Sequence, residues 1–477
     1  MKKIMQWVLA ATLVCGASVF TSCSTNNDDN PAQEQAKKNR KEFVEHTRAT
    51  IKNLAENLNF YSWTSASLTN QYINLYILNN PEFEKTISTA FFTKAKQSIK
   101  PVEEGSALAA AGFTMYATVD LTEFNYRFRA KEDFSGFDME EADDFEIILN
   151  TRNPATGLVE SEMMKISLKA GGETSFMTVL PAREKPGLAL VILVPTEFSF
   201  DLSTNFTGEW VSNYSGSFKN QVTTQDGSSF FRIGRDSWSV SGELNSYLEL
   251  PNVNKKADRT KLIFSFANDR VNHKLNTSLS WEQNGRKMLD LALKDSGDET
   301  GGLANIDLKQ FNSMTSILDV LAAALSTRSL DEAKLTLLDD LTTTLRVSDM
   351  QKALEIYRAS ASARRNYADE ATIDQYTQQL NELVSAEITC KGVNQTIPMR
   401  LVTQKFGIDY VTMPAFNFAD ENGYVSLIDL LDAESVTYGI NIIDHAAEPM
   451  QQSIIVVRQL MQYLQTLIGT MQQQREE

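Results

Sequence analysis

From Phe113 to about Lys294 the apolar side chains recur at every second position, and a stretch of that length with that period cannot be a set of amphipathic helices. Phe113, Met115, Ala117, Val119 and Leu121 alternate with threonine and aspartate, and Phe124, Tyr126 and Phe128 then continue on the opposite parity. A slip of one residue turns every side chain over, so a bulge or bend is expected near Thr122-Glu123. Leu188 to Val194 is an unbroken apolar run set between Pro186-Gly187 and Pro195, the pattern of a central strand covered on both faces. Leu275, Thr277, Leu279 and Trp281 precede Asn284-Gly285, and Leu289, Leu291 and Leu293 follow it, which reads as a hairpin. A plain two-residue turn there would put the two apolar sets on opposite faces. The spacing therefore predicts an odd loop or a bulge, despite the Asn-Gly signal.

The flanks change period. Phe43, Thr47, Ile51, Leu54 and Leu58 form a helical stripe, and a second helix is expected after Asn80-Pro81 with Phe83, Ile87, Phe91 and Ala95 on one face. Residues 303–385 return to helical spacing: Phe311, Met314, Leu318, Leu321 and Leu325 make one stripe, and Leu335, Leu338, Leu341 and Leu345 another. Capping boxes at Ser329 with Glu332 and Ser348 with Gln351 mark two helix starts. Strands are expected over about 386–442, with a turn at Asn422-Gly423. A last amphipathic helix from about Glu448 to Gln473 carries Met450, Ile454, Val457, Met461, Leu464, Ile468 and Met471, with Leu460 and Leu467 widening its apolar face. The expected fold class is α+β: N-terminal helices, a large mostly antiparallel β region, a central helical segment, a short β segment and a C-terminal helix. Two unequal halves, 35–300 and 301–477, are expected to meet near Asp295 to Gly302, where serine, glycine and acids cluster.

The first thirty residues have a different character. Lys2-Lys3 gives a positive start, Ile4 to Phe20 is apolar and uncharged, and Phe20-Thr21-Ser22-Cys23 closes the run with small residues before a cysteine. The apolar run is shorter than the ~20 residues needed to cross a bilayer, so residues 1–22 read as a secretion signal. The closing tetrapeptide resembles the lipobox of Gram-negative bacterial lipoproteins. That resemblance implies cleavage before Cys23, acylation of Cys23 with fatty acids such as palmitate, and an anchor in the outer membrane. Ser24 to Pro31, with Asp28 and Asp29 and no acid directly after the cysteine, is similar to the polar tether of lipoproteins sent to the outer membrane and on to the cell surface. Residues 23–34 are read as that acylated, flexible tether.

Charge and cysteine usage narrow the partners. Forty-five basic against 61 acidic residues give a formal charge of −16, and loss of Lys2 and Lys3 with the signal makes the chain more acidic still. Such a chain repels nucleic acid and anionic surfaces. Of three cysteines, Cys15 lies in the signal and Cys23 is the acylation site, so only Cys390 remains and no internal disulfide is available. The strand-like run around it makes Cys390 a small buried hydrophobe.

Catalytic fingerprints are absent from the sequence. There is no G-x-S-x-G, no H-E-x-x-H, no P-loop and no two glycines separated by one residue, which removes the dinucleotide-binding fingerprint. His46, His273 and His445 are the only histidines; Asp444, His445 and Glu448 are close enough to meet around a metal, but capping of the last helix is the expected role of those acids. The run Asp138, Glu140, Glu141, Asp143, Asp144 and Glu146 lacks the regular calcium-loop pattern and reads as a solvated acidic segment. No catalytic residue, metal ligand or cofactor is assigned. Trp238 and Trp281 alternate with core positions, whereas Trp210 shares a face by parity with Phe206 and Tyr214, an aromatic row suited to ligand binding. The reading is a membrane-anchored envelope lipoprotein that binds a polysaccharide or scaffolds an envelope protein without catalysis, its oligomeric state unread. Two alternatives stand beside it: a carrier holding an apolar ligand between a curved sheet and the Met- and Leu-rich helices Phe311–Leu325 and Met450–Met471, and a carboxylate-dependent hydrolase.

Overall fold

The computed structural model describes residues 31–57, 82–83, 85–86, 89–90, 96–123, 125–153, 155–181, 187–206, 208–225, 236–249, 257–297, 328–406, 408–419 and 423–430. Over these residues the chain is dominated by an 18-stranded mixed sheet with a few helices, not the balanced α+β arrangement that the sequence suggested. The described residues fall into two compact units.

One unit gathers residues 82–263. Its strands are β1 (Lys100–Pro101), β2 (Met115–Asp120), β3 (Tyr126–Ala130), β4 (Phe137–Glu141), β5 (Phe145–Arg152), β6 (Val159–Pro181), β7 (Leu188–Thr204), β8 (Val211–Thr223), β9 (Ser237–Glu249) and the first part of β10 (Ala257–Asp269). Neighbouring ladders are antiparallel except β2–β7 and β3–β5, which run parallel. The parity switch expected near Thr122 is a one-turn 3-10 helix, Leu121–Glu123, that ends β2 and starts β3 afresh. Strand β7 is the central strand that its apolar run announced. Its first half lies between β2 and β6, and successive residues feed opposite faces. Leu190 and Ile192 pack with Ala117 and Val119, while Ala189 and Val191 pack with Leu108. A run lacking polar alternation is stable only where both faces are covered.

The other unit gathers residues 31–57 and 264–430. Helix α1 (Pro31–Asn57) buries Phe43, Thr47, Ile51 and Leu54, the stripe read from the sequence. Strands β11 (Lys274–Gln283) and β12 (Arg286–Gly297) form the expected hairpin. Asn284 and Gly285 both take positive φ, 51° and 76°, a two-residue turn, and a bulge between Trp281 and Glu282 then restores parity so that Trp281 faces Leu289 and Leu279 faces Leu291.

The central helical segment is where the expectation fails. Residues 328–347 form a second hairpin, β13 (Arg328–Leu337) and β14 (Leu341–Val347), closed by Leu338 and Asp339 at φ 53° and 55°. Leu335, Leu338, Leu341 and Leu345 fit a helical stripe only because the turn resets the alternation halfway. Leu337 in fact faces Leu341, and Ala333 faces Leu345. Ser329 and Glu332 lie in β13 and cap nothing. Helices do follow among the described residues: after the short α2 (Ala107–Ala110) of the other unit come α3 (Met350–Arg365), α4 (Glu370–Leu383) and the one-turn α5 (Leu427–Leu430). Asp349, not Ser348, is the N-cap of α3, its carboxylate accepting from the Lys352 amide at 2.9 Å. Strands β15 (Val384–Cys390), β16 (Val393–Phe406), β17 (Asp409–Asn417) and β18 (Tyr424–Ser426) continue the meander.

Helices α3 and α4 cover this part of the sheet. Met350, Ala353, Ile356 and Leu380 bury against Leu330, Ala333, Val347 and Leu401. Polar contacts fix α4 in register: the Asn381 amide group donates to the Leu401 carbonyl and its oxygen accepts from the Leu401 amide, both at 2.8 Å, and Thr403 donates to Asp374 at 3.1 Å. The stripe Phe311–Leu325 and the C-terminal helix of residues 448–473 lie outside the described residues. Among the described residues no helix is long and apolar enough to cross a membrane.

Candidate functional site

Three side chains of metal-binding type converge where α1 meets two β-turns. His46 lies midway along α1, half-exposed beside the buried stripe, Asp340 closes the β13–β14 turn, and Cys390 ends β15 beside the Lys391-Gly392 turn. One ligand atom from each lies within 4.8 Å of the other two. Asp340 stands between its neighbours: its Oδ2 lies 3.3 Å from His46 Nδ1, and the Cys390 thiol donates toward its Oδ1 at 3.8 Å.

Further bonds hold the carboxylate. Thr50 Oγ1, one turn along from His46, donates to Oδ2 at 3.1 Å, and the Lys391 amide reaches both Oδ1 and the Asp340 carbonyl, at 3.2 and 3.1 Å. The glycine opposite is a steric requirement, since a Cβ at Gly392 would overlap the His46 imidazole. Aromatic packing of Phe43 against Phe416 and Phe418, with ring centroids 5.8 and 5.4 Å apart, and a 2.6 Å bond from Asn39 to Gln395 seat the helix.

Burial pushes the Cys390 thiol up to about 11, and the Asp340 carboxylate beside it acts in the same direction. A neutral, buried thiol whose neighbour is an acid rather than a base is not set up as a nucleophile, because the triad logic needs the imidazole between thiol and carboxylate. The set has instead the composition of a metal centre: one sulfur, one nitrogen and one carboxylate oxygen, with His46 and Asp340 partly open to solvent and Cys390 buried. Scarcity was the signal available in the sequence, which has only three histidines and one cysteine beyond Cys23. Asp340 was not distinguishable among 61 acids.

The aromatic row divides. Phe206 and Trp210 are exposed, 62% and 37%, on the β7–β8 loop, where Lys165 Nζ lies 5.1 Å from the Trp210 ring centre. Tyr214 is buried, packed on Phe200 at 5.3 Å, and burial raises its hydroxyl pKa. A bulge between Leu202 and Ser203, which leaves Asn213 without an opposite residue, breaks the parity that would have aligned Tyr214 with Trp210. The face shared by all three residues is therefore corrected to an exposed pair and a separate core tyrosine. Trp281 is buried, as its alternation implied.

Four acids of the acidic run are held by cations. Arg127 donates to Glu146 at 2.6 Å and Glu140 at 3.1 Å, bonds that raise the guanidinium pKa, while Lys169 holds Asp144 at 3.2 Å and Lys131 lies 3.7 Å from Asp138. These acids neutralise cations across the β3–β4–β5–β6 ladders. His445, with Asp444 and Glu448, and Cys23 lie outside the described residues.

No family model matches the chain, and no curated protein matches it. Among solved structures, a porin-like protein from Bacteroides vulgatus ATCC 8482 is similar over 64% of this chain and 95% of that one, at 7% identity and a TM-score of 0.16. A score that low bears on neither fold nor function.

Proposed function

We propose that this chain is a lipid-anchored protein of the bacterial cell envelope, cleaved before Cys23, acylated there and held on the outer membrane, where it binds or scaffolds without catalysis. The order of features in residues 1–23 carries the reading: two lysines, an uncharged apolar run too short to span, and small residues directly before a cysteine. Each buried methylene contributes ~0.8 kcal/mol, so two or three acyl chains hold the protein on a membrane in effect permanently. The surrounding geometry supports a role other than catalysis: Asp340 separates imidazole from thiol, and two carboxylates of the acidic run, Glu140 and Glu146, are both occupied by Arg127. Phe206 and Trp210, exposed on one loop, are the residues offered to a polysaccharide or an envelope partner. The acidic charge argues against nucleic acid.

Cys23→Ala tests the anchor. The variant is expected to carry no fatty acid by mass spectrometry and to be recovered without detergent, whereas the unaltered chain carries acyl chains and fractionates with membranes. Lipid on the variant would overturn the reading.

A further inference from the structure

We infer that His46, Asp340 and Cys390 form a binding site for a zinc-class divalent ion, with the fourth position left to water. The inference stands independently of how the N-terminus is processed.

The first argument is geometric. Tetrahedral zinc has bonds of about 2.0–2.1 Å to nitrogen and oxygen and about 2.3 Å to sulfur, which sets the ligand–ligand edges at about 3.3 Å for nitrogen–oxygen and about 3.5 Å for sulfur–oxygen. His46 Nδ1 lies 3.3 Å from Asp340 Oδ2 and Cys390 Sγ lies 3.8 Å from Asp340 Oδ1, so the carboxylate turns one oxygen to each partner, and one ligand atom from each of the three residues lies within 4.8 Å of the other two, a span that a small adjustment of the side chains closes around one ion. Second comes the chemistry of the donors. A thiolate, an imidazole and a carboxylate together suit zinc and exclude the all-oxygen preference of calcium and magnesium. Third is the shell around them. Thr50 Oγ1 donates to Asp340 Oδ2 and the Lys391 amide to Oδ1, fixing the carboxylate as outer partners do in metal sites, and Gly392 leaves room for the imidazole. Partial exposure of His46 and Asp340 leaves an entry path, and the buried thiol supplies the soft ligand.

On binding, the Cys390 proton goes to solvent and the sulfur bonds the ion as thiolate. Affinity must then fall as pH falls, because protons compete for that sulfur. The ion would join α1 to the β13–β14 and β15–β16 turns, which are 294 and 344 residues from His46, tying three distant segments through one atom.

The experiment takes the full chain in detergent, stripped with a chelator, and titrates it with zinc and with cobalt. One equivalent of zinc and a cobalt spectrum with tetrahedral visible bands and a near-ultraviolet sulfur-to-metal band are expected. Cys390→Ser should abolish the sulfur band. His46→Gln, at a half-exposed position that leaves the fold intact, should weaken zinc binding at least about 10-fold, and Thr50→Val, which removes an outer partner, about 10-fold. Far-ultraviolet circular dichroism on each variant separates lost binding from lost folding. Absence of stoichiometric metal in the folded wild type overturns the assignment, as does a cobalt band that survives in Cys390→Ser.

Discussion

Cys390 is buried in a sheet end yet touches an acid, and its titration reports both facts. Its folded-state pKa is raised to about 11, above the value of a free thiol, so the folded chain holds a proton that the unfolded chain gives up. The linkage sign follows. The contribution is fully present below about pH 8.5–9 and is lost as pH rises through about 11, to a total of roughly 2–3 kcal/mol. In urea unfolding of the metal-free protein, stability should fall across that alkaline window, and the fall should be smaller in Cys390→Ala by the share that the thiol contributes. Burial raises the Tyr214 pKa too and adds an alkaline loss of its own, which is why the difference between the two proteins is the quantity to compare. At this scale, single residues were only partly legible in the sequence. Cys390 as a buried small side chain followed from its strand-like neighbours, but its acid partner is 50 residues away and no spacing connects them.

Hairpins show what alternation does and does not encode. In β11–β12 the apolar sets had to meet across the turn, which forced a bulge, and the bulge lies between Trp281 and Glu282. Gly285 at φ 76° is the residue that lets the two-residue turn close. Gly285→Ala should therefore lower stability by about 1 kcal/mol, read as a shift in urea midpoint at unchanged slope. The β13–β14 pair was read as helix for a physical reason. Four leucines at spacings of three, three and four satisfy a helical face and also satisfy two short strands whose turn consumes Leu338, Asp339 and Asp340. The run Thr342-Thr343-Thr344 was the contrary sign, since β-branched residues favour the pleated surface. The unbroken run of β7 was unambiguous because seven consecutive apolar residues between glycine and proline are too few for a helix and too many for a one-sided strand.

At the scale of the whole molecule, α1 makes contacts of very long sequence separation. Asn39 meets Gln395 across 356 residues, and Phe43 is fully buried against Phe416 and Phe418. Truncating Phe43 to alanine should cost about 3–5 kcal/mol. Because closing so long a loop comes late, the change should appear mainly as faster unfolding, with the folding rate nearly unchanged. Stopped-flow chevrons of Phe43→Ala against the parent check that partition. The same separation has a meaning for the growing chain. Among the described elements α1 is made early, yet Phe43 finds its seat only when Phe416 and Phe418 of the β17 region have been made, so its greasy stripe stays uncovered through the synthesis of everything between. A polypeptide built this way needs an escort for α1 until β17 arrives.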